Sequence, residues 1–343
     1  MRLARLGLLF VFVGCQSAPF SPAAISSQPQ VQNDGSARAR GGHVFVAGST
    51  STHYPSVERF KLVDGVPGSS PDRVYKGFGD LIAASPNGTM YAFGGYSQPG
   101  IFAFGPRGVK PIRRFQFSGP GRCGDSSSEE TTVSAIATDS QRYLFAAIYT
   151  YAGARKRGAR VGNRAKSGGV PCNGVAIFAP DASGPVAPVR TIPLRRAIIT
   201  GIAVDSNDNL YVAELPYTVV EFTNAVSDPK RARVFHTESP AHVSSVATDG
   251  AGDVFISNVN YGYKTGWIDR YSPSAKGKGP PTSQVVLQGS NLHLLYAIAV
   301  RHRELFAADG YNHIDLYHAL ANGGQSPFDS FAASDPSSVA VGP

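Results

Sequence analysis

The stretch GIAVDSNDNLYVAELPYTVVEF, residues 201–222, reads as three short strands in a row. GIAVD and LYVA are separated by the polar turn SNDN, and VVEF follows a second turn, ELPYT. Runs of four or five residues with period-two alternation, bounded by Asp, Asn and Pro, are strands rather than helix turns. The first run recurs as LIAAS (81–85), AIATD (135–139), SVATD (245–249), AIAVR (297–301) and SSVAV (337–341). The second recurs as MYAF, LFAA, VFIS and LFAA, placing Tyr91, Phe145, Tyr211, Phe255 and Phe306 at equivalent positions. The third keeps an aliphatic-x-x-aromatic form in IFAF (101–104), VAIF (175–178), IDRY (268–271) and IDLY (314–317). A looser fourth includes RRFQF, VRTIPL, ARVFH, SQVVL and DSFAA.

Four short strands repeating every 41 to 66 residues are the pattern of propeller blades, so an all-β, six-bladed β-propeller is predicted. Five blades are complete. The sixth is split, because HVFVAG (43–48), VERF (57–60) and RVYKG (73–77) lack a first strand, and SSVAV supplies it from the C-terminus. The expected closure pairs the N- and C-terminal strands within one blade, which removes open sheet edges. Charged residues are only 16% of the chain, Gly and Pro number 38 and 25, and no helical periodicity is present, so helix should be nearly absent.

At the N-terminus, Arg2 and Arg5 precede the apolar run Leu6–Val13, which ends at Gly14-Cys15. That run is too short to span a bilayer and reads as a signal peptide. It resembles a bacterial lipoprotein signal, residues 1–15, which implies lipidation of Cys15; Phe12 departs from the usual Leu. Residues 16–42 are rich in Ser, Pro, Ala, Gln and Arg and should form a disordered tether, leaving 43–343 as the propeller. The expected address is the bacterial cell envelope, periplasm or surface, with the membrane met through a lipid anchor alone. Of the three cysteines, Cys123 and Cys172 then remain as a pair in an oxidising compartment and are expected to form a disulfide across the insertion 149–174.

AIAVRHRELFAADGYNHIDLY (297–317) resembles an NHL repeat, with Asp309, Asn312, His313, Ile314 and Tyr317 at the motif positions. The resemblance implies the propeller fold and leaves function open, because related propellers bind proteins or nucleic acid or carry lactonase or lyase chemistry. Gluconolactonase-type relatives hold a metal with residues just before the first strands. The corresponding positions here are Asp80, Ser134, Thr200, Ser244, Tyr296 and Ser337, of which only Asp80 is a strong ligand. A second ring follows the second strands and includes Glu214, Asn258 and Asp309, oxygen donors that suit a divalent cation or simply cap strand ends. No other cofactor is called for. Gly119–Gly124 fits G-x-G-x-x-G without a following helix, and Asp205–Asn209 begins like a calcium loop but has Leu210 where glycine is required.

The segments between second and third strands contain Tyr54, Tyr96, Tyr149, Tyr151, Tyr217, Tyr261, Tyr263 and Tyr311, with Trp267 at the edge of one. Every blade contributes a tyrosine, and aromatic rings with polar tips suit a binding mouth; the alternative is packing between blades. The basic insertion, with Arg155, Lys156, Arg157 and Arg160, emerges at the same end and matches the net charge of +8. These features point to a non-catalytic binding module for an envelope protein, peptide or glycan, expected to be monomeric. Export argues against nucleic acid as partner. The competing reading is a lactonase-like hydrolase or lyase with a channel metal.

Overall fold

The computed structural model describes residues 41–48, 55–94, 100–117, 130–151, 173–194, 197–237, 241–260, 265–287, 295–309 and 312–343. Among these there is no helix, and the strands form six mainly antiparallel sheets in a ring. Blade 1 combines Pro336–Gly342, Gly42–Gly48, Ser56–Val63 and Arg73–Lys76. Blade 2 runs Ile82–Ala84, Met90–Phe93, Ile101–Phe104, Pro111–Phe117, and blade 3 Glu130–Thr138, Leu144–Tyr151, Asn173–Phe178, Arg190–Pro193. Blade 4 runs Ile199–Val204, Leu210–Glu214, Thr218–Thr223, Lys230–His236, and blade 5 His242–Thr248, Val254–Asn260, Thr265–Tyr271, Ser283–Leu287. Blade 6 completes the ring with Ala297–Arg301, Glu304–Ala308, His313–His318 and Asp329–Ala332. The first strands neighbour one another in unbroken succession from Pro336–Gly342 round to Ala297–Arg301 and back, so they surround the axis.

Closure is as expected from the split repeat. Val339 pairs with Val46 and Val341 with Val44, while Val339 and Val341 pack towards blade 6 and Ala340 towards blade 2. Each of the six junctions between blades has its own apolar cluster. The second-strand aromatics Tyr91, Phe145, Tyr211, Phe255 and Phe306 all face the following blade and are at most 1% exposed. There they meet the third-strand aromatics Phe178, Phe222, Tyr271, Tyr317 and Phe60. Fourth-strand rings join them, as in Phe235–Tyr271 at 4.8 Å, Tyr75–Phe104 at 5.1 Å and Phe60–Phe331 at 4.7 Å between centroids. The period of the repeat is therefore the period of an aromatic junction.

The turns between first and second strands are closed by a side chain. Asp205 Oδ1 accepts the N–H groups of Asn207 and Asn209, both at 2.9 Å, and Asp249 Oδ1 those of Ala251 and Asp253 at 3.0 and 2.8 Å. The calcium-like segment 205–209 is thus a hairpin turn held by its own aspartate. Three strands were not foreseen. Val66–Pro67 folds back on the third strand of blade 1, whereas Gly184–Val186 and Gly323–Gln325 leave blades 3 and 6 to pair in parallel with the outer strands of blades 2 and 5. Both of the latter cover an edge that would otherwise present unpaired backbone groups.

Candidate functional site

A first strand at the axis is buried on both faces, and in this ring it is interrupted at one level in blade after blade. Between the pairs Val133–Ile148 and Ala135–Ala147, Ser134 is left over as a β-bulge. Thr200 is left over between Ile199–Glu214 and Gly201–Ala213, Ser244 between Val243–Asn258 and Ser245–Ser257, and Ser337 between Pro336–Gly48 and Ser338–Ala47. In blade 2, Gly79 N–H bonds Phe93 O and Phe93 N–H bonds Leu81 O, which excludes Asp80, a residue with φ of +61°. In blade 6, Tyr296 occupies the same register, its N–H bonding Ala308 O beside the Ala297–Ala308 pair. A bulge gives up ladder pairing and re-aims a side chain.

All six residues at this level carry a side-chain oxygen: one carboxylate, one phenol and four aliphatic hydroxyls. Their chain neighbours Gly79, Leu81, Val133, Ala135, Ile199, Gly201, Val243, Ser245, Leu295, Ala297, Pro336 and Ser338 are all buried. Asp80, Ser134, Thr200, Tyr296 and Ser337 are half-buried, while Ser244 is 2% exposed. These are the positions that the gluconolactonase resemblance singled out, and the sequence showed their residue types but not the bulge that turns them.

The hydrogen bonds decide what the ring offers. Thr200 Oγ1 donates to Val243 O at 3.1 Å, and Ser337 Oγ to Ala47 O at 3.2 Å. Ser244 Oγ lies 2.7 Å from Ser257 Oγ and 3.4 Å from Ser257 O, so its proton is taken up by Ser257 through one or the other. Three hydroxyl protons are thereby directed into the strands, leaving lone pairs as the available function. Ser134 Oγ is buried without a hydrogen-bond partner among the described residues.

The second ring lies beside the first, since Glu214 and Asn258 pair with the residues preceding two of the bulges. Asn258 is fully buried, and its amide donates to Asp269 Oδ2 at 2.9 Å and Ile256 O at 3.2 Å. Asp309, 3% exposed, accepts the His313 N–H at 3.3 Å. Glu214 is half-buried, and burial raises its pKa against the opposing pull of Arg231. Glu214 ends its second strand, Asp309 directly follows its own and Asn258 lies two residues before the end of its own, and Asn258 and Asp309 bond within their own blades. Among the described residues, no three His, Cys, Asp or Glu side chains gather as a metal site.

Tyr217 sits in the turn between Leu210–Glu214 and Thr218–Thr223, half-buried and stacked on His242 of blade 5 at 5.8 Å and 30°. The turn is pinned to that blade by Val243 N–H donating to Pro216 O at 3.0 Å. Trp267 is half-buried and belongs to the third strand of blade 5, opposite Asn258. Tyr149 and Tyr151 fall within the second strand of blade 3, which runs on to Tyr151. Tyr54, Tyr96, Tyr261, Tyr263, Tyr311, Arg155, Lys156, Arg157, Arg160, Cys15, Cys123 and Cys172 lie outside the described residues.

Fold and site together define a six-bladed β-propeller with a polar mouth at the end where second strands turn into third strands. The structure is similar to that of a protein of unknown function from Bacteroides caccae, with a TM-score of 0.55 and 10% identity over 88% of this chain and 98% of the other. Apo AztD from Citrobacter koseri aligns over 88% of this chain and 98% of its own, with a TM-score of 0.47 and 12% identity. No family model and no curated relative matches the sequence.

Proposed function

We propose that this chain is an envelope-tethered β-propeller acting as a non-catalytic binding module, which takes a protein, peptide or glycan at the mouth ringed by the bulges. The observation that carries the reading is the repetition of the bulge at one register with an oxygen-bearing residue each time. Holding a blade together does not call for it, because the bulge sacrifices pairing where the junctions are already filled by strand aromatics. The Tyr217–His242 stack and Trp267 stand at the same end. The lipoprotein anchor at Cys15, the tether 16–42, the Cys123–Cys172 bridge and the NHL relationship belong to this proposal, resting on the sequence features given for each.

The test is a photo-crosslinking amino acid placed at Tyr217 or Trp267, and as a control at Asn207 on the opposite end, in the full chain expressed in its native envelope. Adducts at 217 and 267 without adducts at 207 are expected. Adducts of equal yield at all three positions, or none at 217 and 267, would overturn the reading.

A further inference from the structure

We infer that the end of the ring opposite the mouth rests on an anionic lipid surface, entered by the hairpin tips of blades 1 and 2. That end carries the turns between first and second strands and between third and fourth strands. Thr138 Oγ1 donates to Ala84 O at 3.1 Å and Thr248 Oγ1 to Val204 O at 3.2 Å, which joins equivalent ends of adjacent first strands. These strands therefore run in one direction, and the turns lie on one side of the ring.

In five blades the third strand stops at its aromatic residue or one position later, at Phe104, Phe178, Thr223, Tyr271 and His318. In blade 1 it runs three residues past Phe60 to Val63, adding about 10 Å of strand. It turns back at Asp64 and Gly65, whose φ angles of +53° and +88° make a two-residue hairpin. Val63 and Val66 pair at its tip, both exposed. The tip of blade 2, residues 105–112, presents Val109 and Ile112 and is held against blade 1 by Arg73, which donates to Pro106 O and Gly108 O. Ile112 and Val63, at 61% and 59%, are the most exposed large apolar side chains of the described residues.

Cations are set among these aliphatics. Lys61, Arg107 and Lys110 are exposed and pair with no acid among the described residues. Asp64, in the turn itself, is the one acid at either tip, and residues 81–117 contain no Asp or Glu. Protruding aliphatic side chains with basic ones between them match acyl chains bordered by phosphate headgroups. A protein partner is met by aromatic anchors in packed pockets, and an acidic polymer would leave the valines in water. The chain also enters from this end. Gly41 O accepts from Arg301 Nη2 at 2.8 Å, and a Cβ on Gly65 would collide with Glu304 of the same turn. Residues 1–40 thus join the ring beside the blade 1 hairpin, so the anchor proposed at Cys15 pulls on this end and leaves the mouth facing away from the bilayer.

The test places an environment-sensitive fluorescent amino acid at Val63 or Val109, and as a control at Tyr217 of the mouth, in the full chain. Each protein is mixed with vesicles of phosphatidylglycerol and phosphatidylcholine that carry brominated lipid as a quencher. Blue-shifted, quenched emission is expected at Val63 and Val109 and not at Tyr217. In a chain that also carries Arg107→Glu and Lys110→Glu, both on an exposed tip, quenching at Val63 should be lost while the melting temperature is kept. The inference is overturned if Val63 and Val109 stay unquenched, if Tyr217 is quenched as strongly, or if the charge reversals change nothing. A blue shift at Val63 caused by solubilised envelope proteins and not by vesicles would assign the face to a protein and overturn it equally. Crosslinking at the mouth can succeed or fail whichever result is obtained here, so this inference and the binding-module reading fail separately.

Discussion

Asp139 shows how one residue couples the turn end of the ring to pH. It is fully buried in the turn between the first and second strands of blade 3, where Oδ1 accepts the Tyr143 N–H at 2.7 Å and Oδ2 has no partner among the described residues. Burial, aided by the negative charge of Asp208 in the next blade, pushes its carboxyl from 3.8 up to about 7. Between those two values the folded chain holds a proton that the unfolded chain has lost, so stability falls as pH rises from about 4 to 7 and then levels off. Asp139→Asn retains the acceptor for Tyr143 and abolishes the titration. It is expected to stabilise by about 1–3 kcal/mol at pH 8 and to change little at pH 4, measured by urea unfolding at both values. An equal effect at the two pH values would show that the residue does not titrate in this window. The sequence displayed Asp139, Asp205 and Asp249 as turn residues at matching positions. It could not show that Asp139 is sealed from water, because burial there depends on the adjacent blade.

At the scale of the element, the loosely patterned fourth strand turns out to carry the clearest device joining blades. Arginine stands two residues before the buried core residue in Arg73-Val74-Tyr75, Arg113-Arg114-Phe115, Arg190-Thr191-Ile192 and Arg233-Val234-Phe235. Each of these arginines donates to a backbone carbonyl in the turn between third and fourth strands of the following blade. The acceptors are Pro106, Pro180, Val226, and the pair Pro273 and Ala275. Arg233 does most, since it also pairs with Glu221, bonds Tyr211 Oη at 3.2 Å and lies over Phe235. Glu221 is only 3% exposed, so Arg233→Met leaves a buried carboxylate unpaired and should cost about 3–5 kcal/mol. Adding Glu221→Gln should recover much of that, whereas Arg73→Met, which breaks no ion pair among the described residues, should cost under about 1 kcal/mol. Chemical denaturation of the three variants decides, and equal losses at Arg73 and Arg233 would assign the effect to the turn carbonyls alone. This motif was present in the sequence yet unread, because an arginine in a strand is uninformative until its acceptor in the next repeat is known. The inner three strands were legible because burial on both faces forces them to be apolar, and the edge strands Gly184–Val186 and Gly323–Gln325 were not, because glycine and polar residues give no period.

Over the whole molecule, stability depends on a ring with no free end, and that ring is closed by one strand far from its partners in sequence. Pro336–Gly342 pairs with Gly42–Gly48 in register from His43–Gly342 to Gly48–Pro336, and His43 Nδ1 lies 3.1 Å from Pro343 O. The strand also neighbours the first strands of blades 2 and 6, so its loss opens two apolar junctions as well as a sheet. Val339, Ala340 and Val341 are at most 4% exposed. Two valines at about 1.5–3 kcal/mol each, with the ladder bonds of Val44, Phe45 and Val46 lost besides, consume most of the 5–15 kcal/mol that a folded domain has. Deleting residues 337–343 should therefore abolish cooperative unfolding of the entire ring instead of fraying its end. Because His43 lies beside Gly342 and Pro343, the same strand can be supplied from the other side. A circular permutant that joins Pro343 to Gly42 through a short linker, and opens the chain between Thr237 and Ala241, preserves every blade and transfers the split to the junction between blades 4 and 5. That permutant should melt cooperatively within a few degrees of the parent, since only loop closure has changed. Thermal unfolding followed by far-ultraviolet circular dichroism separates the cases: a deletion variant that still melts cooperatively near the parent would mean that five blades and a fragment hold the ring without the C-terminal strand.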